Sequence, residues 1–453
     1  MFRFVVRGWW VLAAFQVAAG LLLAAPGQGP HSVQFGVDTY LADYHPGTEL
    51  GSSIKASPVD RTNYLDAVRD LGATTIREEF MAWSLIEPQQ GGEYHYEVMD
   101  DIVQKASERG IHILCLAYFF PPWATVGEDR PWNYKDGQDG RYQLPLRKYE
   151  SDFKQFVRKG ISRYCGCQPD SLRLKTPVRE WVFMNEPEGY AGMYLNADEY
   201  AHWLKIFYEQ IKSVDPGAKV VAPALAVPGI WDQNKLLGKF LDDLLSSKEL
   251  KGPNYPYIDV VDFHPYPGSM GPPGPDIYGI NISYNYVRDV LAAHNLNLPL
   301  WVTEIGDNSG DLTRQADNEV KYVIQAASVG VDRVYVLGLW DFGIEYYGHP
   351  FGLLEDTPSG QIPVRKPSFI AYQTLFHKIT DNRGVEFLGP GRYRVRRANE
   401  KPVYVLWAQG EYSQTPSFLH GRLRVTDLQN HEQEIDMGNL KLSEHPVLVE
   451  MLE

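Results

Sequence analysis

The 453-residue chain is 44% hydrophobic and 22% charged, which excludes a disordered polymer and allows one large domain with a smaller companion. A formal charge of −14, with no run of Lys or Arg, excludes a phosphate-backbone partner, so no nucleic acid is expected as a ligand. Three cysteines cannot all pair internally, which excludes a disulfide framework as the source of stability.

The first 30 residues place Arg3 and Arg7 ahead of an apolar stretch that runs to Ala25 and breaks at Pro26, the pattern of an export signal. Cleavage after Gly27 makes 1–27 a signal peptide and the mature chain secreted or periplasmic; an uncleaved N-terminal membrane anchor is the alternative. From there strand-like apolar runs alternate with helical periodicity. The runs are "SVQFGVDTY", "ATTIREEF", "IHILCLAYF", "REWVFMNEP", "KVVAPALA", "YIDVVDFHPY", "PLWVTEIG" and "DRVYVLGLWDF", most of them ending about 40 residues apart, a regular βα period. Helices are expected over Tyr96–Arg109, Ala197–Val214, Lys235–Ser246, Tyr284–His294 and Ala316–Val329, and again after the last strand. Eight such units predict a (β/α)8 TIM barrel over 33–380. No G-x-G-x-x-G turn follows the first strand, which weakens the doubly wound alternative. Gly-, Asp- and Pro-rich stretches at 124–145, 267–279 and 343–363 follow strands and predict long loops walling a cleft on one face. Beyond residue 384 the pattern changes to short alternating runs, which predicts a small β-sandwich-like domain over 384–453. Cys115 reads as a buried small hydrophobe, and Cys165 and Cys167 as a local pair or as free thiols. No His or Cys cluster has zinc spacing, so no metal is expected.

In a barrel of this kind chemistry belongs to the carboxyl ends of strands. Two apolar runs end there in a carboxylate: Glu186 in "FMNEPEG" on strand four and Glu304 in "LWVTEIG" on strand seven. Two facing carboxyls are what glycosidic bond cleavage needs, one to protonate the leaving oxygen and one to attack C1 or activate water. The roles demand unequal pKa values. Glu78, Glu79 and Glu188 compete for them, although strand alternation keeps Glu78 and Glu79 from both facing the lumen.

Together "NEP" (185–187), "DFHPY" (262–266), Glu304 and "LWDF" (339–342) resemble the clan A retaining glycoside hydrolases. Residues 75–124 resemble the second and third βα units of family 39, whose neighbourhood includes β-xylosidases and exopolysaccharide endoglycosidases. The resemblance implies Glu186 as acid/base, Glu304 as nucleophile, and Asn185 as donor to the sugar 2-hydroxyl. It implies that Tyr266 steadies the nucleophile, that His264 contacts sugar or carboxylate, that Arg77 keeps Glu304 ionised, and that Trp340 forms a platform under the sugar. The implied partner is a β-linked oligo- or polysaccharide, cleaved by double displacement without a cofactor. Trp83, Tyr118 and Trp123 are sugar-stacking candidates and equally core filling. The plainer alternatives are a structural ion pair for Arg77, a core histidine for His264, and a non-catalytic carbohydrate-binding relative for the whole chain. The glycosidase reading requires residues 186 and 304 to point into one opening, well within about 10 Å.

Overall fold

The computed structural model describes residues 32–42, 58–126, 143–188, 195–226, 239–266, 277–341, 350–398, 400–410 and 412–452. The export segment 1–27 lies outside them, as do 127–142, 267–276 and 343–349 of the three stretches expected to form long loops. No described helix is long and apolar enough to cross a membrane.

Eight short parallel strands form one sheet: β1 Gln34–Asp38, β2 Thr75–Ala82, β3 His112–Tyr118, β4 Glu180–Phe183, β5 Lys219–Val221, β6 Val261–Phe263, β7 Leu300–Ile305 and β8 Arg333–Val336. Their order is β5-β4-β3-β2-β1-β8-β7-β6. Parallel bridges Val221 to Val260 and Leu225 to Phe263 join its two edges, so the sheet closes into a barrel. A helix follows each strand: α1 Pro58–Leu71, α2 Glu97–Glu108, α3 Glu150–Tyr164, α4 Ala197–Val214, the short α5 Phe240–Ser246, α6 Ile277–Ala293, α7 Leu312–Ser328 and α8 Pro367–Ile379. This is the (β/α)8 architecture that the 40-residue period predicts. Helices on the outside and side chains inside leave the strands no solvent face, and all eight residues of β2 are buried. Two of the helices begin where short polar side chains cap them: Asn196 accepts from the amides of Asp198 and Glu199, and Asp311 from those of Thr313 and Arg314.

The C-terminal strands, β9 Asn382–Gly389, β10 Arg392–Arg397, β11 Val403–Leu406, β12 Arg422–Asp427, β13 Glu432–Asp436 and β14 Val447–Met451, form one antiparallel sheet in the order β13-β12-β14-β11-β10-β9. A second sheet is not what covers its barrel side; α7 is. Every residue of α7 from Gln315 to Ala327 except Asn318 is buried, polar ones included, because the barrel takes one face of the helix and the β domain the other. Lys321 of α7 lies over the Trp407 ring, and Asp317 meets His445 Nδ1 at 2.6 Å. Cys165 and Cys167 form a disulfide at the end of α3, and Cys115 is a buried free thiol.

Candidate active site

The backbone leaves ordinary strand geometry where the barrel strands end. Of the eight described non-glycine residues with positive φ, five sit there: Tyr40 after β1, Phe119 after β3, Met184 and Glu186 after β4, and Ala224 after β5. Such conformations cost of order 1–3 kcal/mol each and cluster where side chains must be aimed. The turn around Asn185 is held by Met184 N donating to Ala117 O and Glu186 N to Ala224 O, both at 3.0 Å. It delivers Asn185 and Glu186 together to the barrel mouth.

Glu186 and Glu304, each 5% exposed, are brought together around His264. His264 Nδ1 lies 2.8 Å from Glu186 Oε1 and 3.6 Å from Glu304 Oε2. One ligand-type atom from each of the three residues falls within 4.8 Å of the others. Glu304 is further held by Arg77, whose Nη1 is 2.8 Å from Oε1, and by the Tyr266 hydroxyl, which donates to Oε2 at 2.8 Å. Arg77 is completely buried; it also pairs with Asp38 of β1 and donates to Asn185 Oδ1 at 2.5 Å. With its carbonyl committed to the guanidinium, the Asn185 amide nitrogen is the atom left to meet a hydroxyl.

The electrostatics separate the two carboxylates. Burial raises Glu186, and the negative Glu304 adds to the rise against the pull of His264. Burial would raise Glu304 too, but His264, Arg77 and Tyr266 outweigh it and hold this carboxyl below its ordinary range. One guanidinium serves several acids, and the others lose: burial pushes Asp38 up to about 7 and Glu79 well above the usual carboxylate range. Burial lowers His264, yet the two glutamates more than reverse this and leave it raised. Among the described residues only this trio has a metal-like spacing. The Arg77 charge bound to Glu304 disfavours a cation at that position, so the arrangement reads better as proton chemistry.

Other candidates from the sequence are placed differently. Glu78 turns to the end of β1, taking Thr39 Oγ1 and the amides of Leu41 and Ala42. Glu188 is buried and accepts from the Ala226 amide at 2.5 Å, tying the end of β4 to that of β5. Trp340 is 1% exposed and donates Nε1 to Thr39 O, so the expected platform is an embedded wall of the mouth. Tyr118 is buried against Phe119, and Trp83 is core, stacked on Phe156. Trp123 alone among these rings is half-exposed, packed edge-on against Trp83 and Tyr149. Sequence reasoning missed Asp38, Asp262 and Thr303. Their signal was a polar residue inside an apolar strand, the same that marked the glutamates.

The glycoside hydrolase 42 family model, described as beta-galactosidase, matches residues 61–215. The search of the curated proteins found no match. Among solved structures, a family 39 glycoside hydrolase from the gut symbiont Bacteroides cellulosilyticus WH2 superposes with a TM-score of 0.66 at 18% identity, covering 93% of this chain and 81% of that one. A monomeric beta-xylosidase from Caulobacter crescentus CB15 gives 0.60 at 18%, covering 94% and 98%. A glucosidase from Croceicoccus marinus gives 0.60 at 15%, covering 93% and 96%. The chain therefore has the barrel and trailing β domain seen in the clan A glycoside hydrolases of the family 39 neighbourhood, which its strand-end residues also resemble.

Proposed function

We propose that the chain is an exported retaining glycoside hydrolase for β-linked oligo- or polysaccharides. The observation that carries the reading is the pair Glu186 and Glu304, close around one imidazole and driven to opposite protonation states. Their approach fits the spacing of about 5–5.5 Å for direct attack better than the wider gap that admits a water. Glu304, ionised, attacks the anomeric carbon while protonated Glu186 gives its proton to the leaving oxygen. A glycosyl ester on Glu304 results. Glu186, now a carboxylate, takes a proton from water as that water attacks C1, and Glu304 leaves with configuration retained. Asn185 supplies the donor to the 2-hydroxyl. Arg3 and Arg7 before their apolar run support export.

The test is the configuration of the first-formed sugar, followed by proton NMR on a panel of aryl β-glycosides. A β product before mutarotation is expected. An α product, or no hydrolysis of any glycoside, removes the assignment.

A further inference from the structure

His264 is held at both ends. While Nδ1 faces Glu186, Nε2 lies 2.9 Å from Thr303 Oγ1, and Thr303 Oγ1 lies 2.9 Å from Asp262 Oδ2. Asp262 Oδ1 in turn accepts the Ala224 amide at 2.7 Å. All of Asp262, His264 and Thr303 are fully buried. Asp262 and His264 are two residues apart on one strand line and share a face. The register shift in β7 between Val302 and Ile305 accompanies Thr303 reaching β6 while its neighbour Glu304 reaches Arg77.

A hydroxyl has one proton to give, so the two polarities of this chain are fixed. With Asp262 ionised, Thr303 donates to Asp262 and must accept from His264 Nε2; Nδ1 and Glu186 then share one proton, held on Glu186 with Nδ1 accepting or on Nδ1 with the Glu186 carboxylate accepting. In the reverse polarity Glu186 gives its proton to Nδ1, Nε2 gives one to Thr303 Oγ1, and Thr303 passes its own to Asp262. Glu186 loses one proton and Asp262 gains one, His264 and Thr303 each lose one as they gain one, and the chain keeps its total charge. We infer that Asp262, Thr303 and His264 form a buried proton relay that positions the acid proton of Glu186. The inference rests on the glycosidase reading for its kinetic consequence, although the relay is a property of the fold alone.

The resting polarity follows from the donors. Asp262 has two, the Ala224 amide and the Thr303 hydroxyl, whereas among the described residues Glu186 is hydrogen-bonded by His264 alone and faces the negative Glu304. Of the two carboxyls, Glu186 is therefore the one that holds the proton. Burial raises both carboxyls, which keeps them close enough to exchange it. Charged and titratable groups around the relay are Glu304, Arg77 with Asp38 and Glu79, Tyr266, and on the Asp262 side Tyr200 of α4. None is altered by the variants below.

Thr303→Val removes the hydroxyl at nearly constant shape. Nε2 then has no acceptor, His264 takes its proton on Nδ1 and donates to the Glu186 carboxylate, and the basic limb of the kcat/KM profile falls by about one pH unit. Asp262→Asn acts in the same direction: its carbonyl is claimed by the Ala224 amide, so its NH2 donates to Thr303, which then donates to Nε2. Thr303→Ser keeps the hydroxyl and restores the wild-type limb. Imidazole 15N NMR of the whole chain, with His264 assigned by its loss in His264→Gln, reads the tautomer without substrate. The expected result is an Nε2 proton in wild type and Thr303→Ser, and an Nδ1 proton in Thr303→Val and Asp262→Asn. An unchanged tautomer and limb in Asp262→Asn overturns the relay, and this variant keeps the test decisive if Thr303→Val does not fold. An inert or inverting protein with the expected tautomers overturns the retaining-glycosidase reading alone.

Discussion

The two halves of the barrel mouth bury their carboxylates equally and treat them oppositely. Glu186, at the end of β4, faces the His264 imidazole, which is backed by Thr303 and Asp262; Glu304, on β7, faces the Arg77 guanidinium of β2 and the Tyr266 phenol, with the same imidazole farther off at 3.6 Å. Both are 5% exposed, so burial cannot be what distinguishes them. The partners decide: a low-dielectric wall raises any carboxyl, and at Glu304 the His264 imidazole, the Arg77 guanidinium and the Tyr266 hydroxyl together reverse it. The comparison teaches that the division of labour is built into which strand lies next to which.

The sharpest way to break it is to remove the Glu304 side. Glu304→Ala should cost on the order of 10⁵-fold in kcat on aryl glycosides, with added azide restoring turnover as an α-glycosyl azide. Retained activity without azide would remove the nucleophile assignment. Glu186→Ala should follow, with a loss of about 10³-fold for alkyl leaving groups and far less for activated phenols, which need no proton. A uniform loss across leaving groups would contradict the acid role. Arg77→Met comes next, at about 10²-fold in kcat. Glu304 must be ionised to attack, and losing the guanidinium raises its pKa, so the acid limb of the pH profile should move to higher pH. An unmoved limb would mean that His264 and Tyr266 suffice.

The fold was readable because its evidence is periodic: apolar strands at regular spacing need no knowledge of partners. Glu186 and Glu304 were readable because each interrupts such a strand at its end. Asp38 and Asp262 break the same pattern one or two residues earlier, and only pairing reveals what they do. Asp38 meets Arg77 because β1 and β2 align these two residues as direct neighbours, and Thr303 reaches Asp262 because β6 and β7 pair Phe263 with Val302 and Asp262 with Trp301. Strand register across a barrel is a tertiary quantity, absent from local pattern. The aromatic residues were the least readable. A ring that stacks on sugar and a ring that fills core share one composition, and exposure alone parts Trp123 from Trp83 and Tyr118.

That parting gives the smallest expected effect. Trp123 sits outside the charged centre, its Nε1 donating to Glu87 O at 3.2 Å and its ring edge-on to Trp83 and Tyr149 at centroid distances of 5.0 and 5.3 Å. Such a ring offers a sugar a flat apolar face without touching the reacting bond. Trp123→Ala should therefore raise KM for longer oligosaccharides by about 3- to 10-fold, the worth of one aromatic contact, and leave kcat on a small aryl glycoside within about twofold. Its neighbours are held by the core, with Trp83 stacked on Phe156, so the acid and nucleophile limbs of the pH profile should stay where they are. If kcat on the small substrate falls as far as KM rises, Trp123 supports the positions of the β2 and β3 loops instead of the sugar, and the charged centre and the aromatic wall are one unit.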